Sequence, residues 1–307
     1  MLTLSFDARS ESGEQVGEDC GYDDSRDRER RGREGHGERV GVRHDAELTT
    51  GSWPIHNRSV VPRRLRIGGD FFTLGEGFVL RASVIVDYQN VHLTAYDVFN
   101  PGGDRHDSLI HPMQFAKRAM LERNARQRDG YEHAAIHRVT VFRGLHHVDY
   151  DWEQNRRAMD QATQWRSDGV DVQLRDLKYS FQVGADRQPV RDINGNKIPV
   201  GRPKEKGIDV LCALACVREA ARPDVDLVVL ASRDTDLVPA LDEVYDFRGI
   251  EPARYAGIET VSWFNKRWRE EGSASGGSLQ ATPPRRIWNT NLDRSCYDAS
   301  IDRNSYR

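Results

Sequence analysis

Apolar and polar residues follow no regular period before about residue 80 of this chain, and two clear periods after it. The first segment mixes Glu, Asp, Arg and Gly, as in Asp23-Asp24-Ser25-Arg26-Asp27-Arg28-Glu29-Arg30-Arg31. It holds too little apolar surface to offset the entropy of ordering it, which predicts disorder over residues 1 to about 50. Val60-Val61-Pro62 and the stretch from Ile67 to Leu74 predict at most a weak hairpin. Residues 1–79 therefore read as a disordered or weakly structured extension. A translation start near Val79 or Leu80 fits this pattern, so whether residues 1–78 belong to the native protein is left open.

From residue 80 the pattern becomes that of alternating strands and helices. Ala82-Ser83-Val84-Ile85-Val86 runs into Asp87-Tyr88-Gln89-Asn90, and Leu227-Val228-Val229-Leu230-Ala231 runs into Ser232-Arg233-Asp234-Thr235-Asp236. Short continuous apolar runs of this kind predict strands buried on both faces. Between them, Asn100 to Asp104 reads as a loop, and Pro112 opens a helix carrying Phe115, Ala116, Ala119 and Met120 at helical spacing. Strands are expected over 136–143 and 170–175, the latter with Leu177 and Tyr179 as an extension, and a helix over 152–167 that Gly169 ends. Ile208 and Asp209 open a further helix whose Val210, Leu211, Leu214 and Val217 are expected to face inward. A helix over 237–247 with Pro239 in its first turn and a fifth strand over 252–256 complete the series.

Such alternation predicts an α/β domain over residues 80–265, a parallel sheet with right-handed crossovers flanked by helices. Residues 178–204 interrupt it. Asn194-Gly195 between Val190 and Ile198 predicts a hairpin turn, whereas a calcium loop would place its glycine later and close with a Glu. Residues 266–307 read as a Gly/Ser-rich connector and a C-terminal segment that docks on the domain through Ile287, Trp288, Leu292 and Tyr297.

Net charge is −3, with 30% charged and 37% apolar residues, so any attraction to nucleic acid has to be local. The inserted hairpin is such a place, since Arg187, Arg191, Lys197, Arg202, Lys204 and Lys206 make it locally basic, and it reads either as an arm laid along a phosphate backbone or as a plain solvated hairpin. No apolar stretch approaches a membrane span and no apolar signal core precedes the domain, so the chain reads as cytoplasmic. Cys212 and Cys216 lie one helical turn apart without a second Cys/His pair, which predicts a buried helix face and not a zinc site.

The candidate chemistry lies at the strand tips. Asp87 ends the first strand, Asp234 and Asp236 follow the fourth, and Asp209 begins a helix whose N-terminus falls on the same sheet edge. Carboxylates gathered there repel one another unless a cation lies among them, and an all-oxygen set suits Mg²⁺ or Mn²⁺. Asn90 is their polar companion. The simpler reading makes such acids helix caps, and Asp209 and Asp236 are placed to be so. His146-His147 reads as loop. The absence of a Gly-rich loop after the first strand argues against a dinucleotide site, and Gln89 stands where a haloacid-type phosphatase would carry a second acid.

On these residues the chain resembles the NYN domain family, PIN-like nucleases related to LabA and DUF88 proteins. The resemblance rests on Val84-Ile85-Val86-Asp87-Tyr88-Gln89-Asn90, Glu205-Lys206-Gly207-Ile208-Asp209-Val210 and Leu230-Ala231-Ser232-Arg233-Asp234-Thr235-Asp236-Leu237, over about residues 81–265. It implies a Rossmann-like, PIN-type sheet with strand order 3-2-1-4-5. It also implies a metal-dependent endoribonuclease in which Asp87, Asp209, Asp234 and Asp236 bind Mg²⁺ or Mn²⁺. In that reading Asn90 assists, an activated water cleaves the RNA phosphodiester, and Lys178, Arg202, Lys204, Lys206 and Arg233 hold the strand. Arg233 stands where many members have glycine, and Ala215-Cys216 where a further acid often lies. The competing expectation is a catalytically silent NYN module that binds RNA or a protein partner in a regulatory role. A homodimer is left open.

Overall fold

Residues 79–266 and 277–306 are described by the structure, a computed structural model; expectations for residues 1–78 and 267–276 lie outside the described residues. The chain forms β1 (Leu80–Asp87), α1 (Tyr88–Phe99), α2 (Pro112–Ala125), β2 (Ala134–Leu145), α3 (Trp152–Ser167), β3 (Asp171–Asp176), β4 (Lys178–Phe181) and β5 (Pro199–Lys204). It continues with α4 (Ile208–Ala220), β6 (Leu227–Ala231), α5 (Val238–Ile250), β7 (Gly257–Trp263), β8 (Asn289–Leu292) and α6 (Arg294–Ser300). No helix among the described residues is long and apolar enough to cross a membrane.

β1 is the axis of the fold. Its residues from Ala82 to Asp87 are all buried, because helices cover both faces of the sheet. Val84 and Val86 face a core built with α1, α2, α3 and α6, while Ile85 faces a second core built with α4 and α5. The sheet has six strands in the order β3-β2-β1-β6-β7-β8, and every neighbouring pair is parallel. Strand order reverses at β1, which has β2 on one side and β6 on the other. In such sheets ligands bind outside the C-terminal ends of the strands at the reversal.

Several elements differ from the sequence expectation. The sheet has six strands where five were expected; β4 and β5 pair antiparallel in a ribbon of their own. Tyr179 therefore belongs to that ribbon and does not extend β3, although the Leu177 N–H still donates to Leu145 O at 2.9 Å. The fifth strand of the series is β7, and residues 252–256 form a turn in which the N–H groups of Arg254 and Tyr255 donate to Glu251 O. Pro252 has no N–H to give a ladder, which favours the turn. α1 had no assignment; its buried Val91, Ala95, Val98 and Phe99 follow Asp87 at helical spacing. In α4, Leu211 and Val217 pack against the core as expected, but Val210 and Leu214 are exposed, and the fully buried face is formed mainly by Cys212, Ala215, Cys216 and Ala220. Small side chains let this helix lie close to the sheet, and Val210 and Leu214 turn outward. Cys212 and Cys216 are buried free thiols.

The ribbon turns as its sequence suggests. Asp192 Oδ1 accepts from the N–H groups of both Asn194 and Asn196 at 2.8 Å, and Arg191 and Lys197 bridge antiparallel.

Residues 277–306 wrap the domain. β8 extends the sheet beyond β7, and α6 packs on α2. Beyond it the Asp302 N–H donates to Leu109 O at 2.7 Å, and Asp302 Oδ2 accepts the indole N–H of Trp165, fully buried in α3, at 2.8 Å. The segment thus joins the far edge of the sheet to the helix over its near side.

Candidate active site

Asp87 is 6% exposed at the tip of β1 and caps α1, accepting from the Asn90 N–H at 3.4 Å. Its other oxygen accepts the Ser232 hydroxyl at 2.9 Å, and Ser232 Oγ in turn accepts the Asp234 N–H at 3.1 Å. Asn90 Oδ1 accepts the Arg233 N–H at 2.9 Å. These bonds lace the tips of β1 and β6 together at the reversal of strand order, so that Asp87, Asn90, Ser232 and Asp234 form one constellation.

Electrostatics link further residues to it. Burial raises the Asp87 pKa to about 6; the bonds from Ser232 and Asn90 oppose this, and the charges of Asp234 and Asp209 add to it. No Lys, Arg or His among the described residues forms an ion pair with Asp87. Asp209 lies in the first turn of α4, half-buried, behind a Gly207 cap whose φ of +78° is the left-handed conformation that glycine adopts without strain. Capping falls to Asp87 and Asp234, not to Asp209 and Asp236: Asp234 Oδ1 accepts the Asp236 N–H at 3.0 Å and opens a short 3-10 turn. Asp236 itself is exposed.

One acid escaped sequence reasoning. Glu205 follows β5, and burial raises its pKa to about 7, with the charge of Asp87 adding to the effect and Arg143 opposing it. Glu205 Oε1 accepts the Gly144 N–H at 2.7 Å. The Gln89 amide, oriented with its nitrogen toward Glu205, lies 2.7 Å from Oε2 and 3.3 Å from Oε1. Glu205 stands inside a quoted motif, yet its relevance depends on β2, some sixty residues earlier. A Cβ on Gly144 would stand 2.7 Å from Glu205 Oε1 and 2.9 Å from its Cγ, and closer still to Leu177 Cδ2. Gly144→Ala is therefore expected to expel Glu205 and destabilise the fold by about 1–3 kcal/mol, as overpacking does. Urea denaturation of the variant checks this; unchanged stability would mean that Glu205 and Leu177 move aside freely.

The cationic residues divide. Lys178, Arg202, Lys204 and Lys206 are exposed on or just after the ribbon, and Lys178 faces Lys204 across the β4–β5 pair. Like charges in that position repel, so the pair favours an anion beside it. Arg233 is half-buried; its Nε donates to Gly277 O at 2.9 Å, and burial lowers its pKa.

A divalent cation suits this set by donor chemistry, being all oxygen, and by the uncompensated charge at Asp87. Among the described residues no three His, Cys, Asp or Glu side chains already stand together as a metal-holding group. Mg²⁺ is compatible with this, because it keeps several waters and commonly takes only one or two protein carboxylates. No family model, curated protein or solved structure matches the chain.

Proposed function

We propose that the chain is a metal-dependent endoribonuclease of the NYN, PIN-like type, with Asp87 as the principal holder of Mg²⁺ or Mn²⁺. The observation that carries this reading is the Asp87 carboxylate at the tip of the central strand, pressed toward neutrality by its burial, with the charges of Asp234 and Asp209 adding to the effect, and without a cationic partner among the described residues. Burying an unpaired charge there is costly, and a hard cation offsets the cost. With the ribbon set aside, the remaining sheet strands run 3-2-1-4-5 with β8 added, which supports the PIN-type arrangement.

In this reading Asp209 and Asp234 add negative charge around the ion, and Asn90 and Ser232 hold the Asp87 carboxylate in orientation. The ion, when bound, supplies Lewis acidity and an activated water to the phosphodiester. Lys178, Arg202, Lys204 and Lys206 offer the RNA backbone a cationic flank, and Asp236 stands outside the inner set. Glu205 joins that set through Gly144 and Gln89.

A silent RNA-binding module is the second reading, favoured by the tie between Arg233 and Gly277 and by the lack of a ready-made three-carboxylate group among the described residues. Incubation with labelled RNA separates the two. Cleavage is expected in Mg²⁺ or Mn²⁺ and its loss in EDTA. RNA binding without cleavage in either metal would select the silent module.

A further inference from the structure

A cluster of aromatic rings outside the acidic site has no role in the chemistry above. Tyr179 and Phe181 are two residues apart on β4 and so share a face of the ribbon. Tyr150, from the loop after β2, packs against both, with ring centroids 5.0 Å and 5.3 Å away. His147 lies 4.9 Å from Tyr150, and the Lys197 ammonium stands 5.2 Å from the Phe181 ring centroid. The three rings are half-buried and His147 is exposed, so ring surface is presented to solvent. Residues 178–206 carry seven Lys and Arg against three acids, although the chain as a whole is slightly acidic. The ribbon grows from the C-terminal end of β3 and returns to Glu205, which places it beside the proposed site.

Aromatic faces among flexible cations are what unpaired nucleobases bind, because every base has a π-face to stack and every linkage a charge to neutralise. A duplex hides its bases and presents only phosphates. An apolar protein segment would gain from the rings but not from the net positive charge.

We propose that the Tyr150–Tyr179–Phe181 cluster, with Lys197, is a base-stacking site for single-stranded RNA. This rests on the reading of the chain as an RNA-binding protein, but not on cleavage. Tyr179 is a poor probe, since its hydroxyl also donates to Asp151 at 2.6 Å. Tyr150→Leu and Phe181→Leu remove ring faces while keeping apolar bulk.

Binding of a labelled 12-nucleotide RNA and of the matched duplex is measured by fluorescence anisotropy in EDTA, with Asp87→Asn as parent so that no cleavage intervenes. Each leucine variant is expected to weaken single-strand binding about tenfold, the loss of roughly one stacked base. Phe181→Tyr should retain it, and Lys204→Ala should instead lower the salt dependence. Circular dichroism identifies any variant whose fold is lost, and Phe181→Tyr against Phe181→Leu then serves as the matched comparison. Unchanged affinity in both leucine variants, or duplex bound as tightly as single strand, overturns the stacking site alone. If the parent binds neither RNA, the RNA reading falls with it.

Discussion

Asp87→Asn is expected to lower metal-dependent RNA cleavage by about a hundredfold or more while making the protein more stable at neutral pH. A residue kept only for structure would not behave so. Asp87 has a pKa of about 6 in the fold against an ordinary 3.8. Holding that carboxylate ionised at pH 7 therefore costs the native state roughly 3 kcal/mol. Asparagine removes the charge and keeps an oxygen to cap α1, so a gain of about 1–3 kcal/mol is expected.

The pH dependence has a definite sign. Between about pH 4 and 7 the native state holds protons on Asp87 and Glu205 that the unfolded chain has already released. Stability contributed by these protons is complete below about pH 4 and is lost as pH rises through about 6 and 7. Mg²⁺ or Mn²⁺ should restore part of it at pH 8 in the wild type and little in the variant, because a ligand that binds only the native state raises its stability. Thermal melts at several pH values, with and without the metal, measure all of this. A variant that melts below the wild type at pH 8 and still cleaves would falsify the assignment of Asp87.

Arg123→Ala is expected to be the more damaging to the fold, by about 3–5 kcal/mol, without any direct part in chemistry. Arg123 on α2 grips Glu259 on β7 with two bonds of 2.9 and 2.8 Å, and their side chains are only 7% and 13% exposed. The same guanidinium donates to Glu132 O at 3.0 Å, tying down the loop before β2. Truncating it leaves a carboxylate inside the protein with no partner for its charge. Most of the loss comes from the stranded Glu259 and not from the attraction itself, so the double variant Arg123→Met/Glu259→Leu should recover much of it. Urea midpoints of the two single variants and the double give the coupling. A double variant as unstable as Arg123→Ala would assign the cost to the lost bond to Glu132 and the packing around it.

The parts legible in the sequence are those where one residue's neighbours along the chain decide its state. β6 and α3 lie where an apolar run and a helical period place them, and the Asn194-Gly195 turn carries its own geometry. The inward face of α4 is legible only in part, at Leu211 and Val217, because periodicity weighs residues by hydrophobicity, whereas this helix approaches β1 through Cys212, Ala215 and Cys216 for their small size. Asp87 and Asp234 were visible as acids after buried strands. Glu205 was not, since what makes it notable is an N–H on β2 and the lack of a side chain at Gly144. Such facts are set by which strands become neighbours.

The C-terminal wrap has a consequence for the order in which the protein is made. Trp165 waits for Asp302, 137 residues behind it in synthesis, and at about 5–20 residues per second that is roughly 7–30 s. Over that interval the indole N–H lacks its acceptor, and β7, once made, lacks its outer neighbour until β8 follows it. An unpaired parallel edge beside an uncovered apolar surface is the form most prone to associate with other chains. The ribosome-bound domain is thus expected to engage holding chaperones for that interval, and codon choice between β7 and α6 becomes a control on how much of it folds.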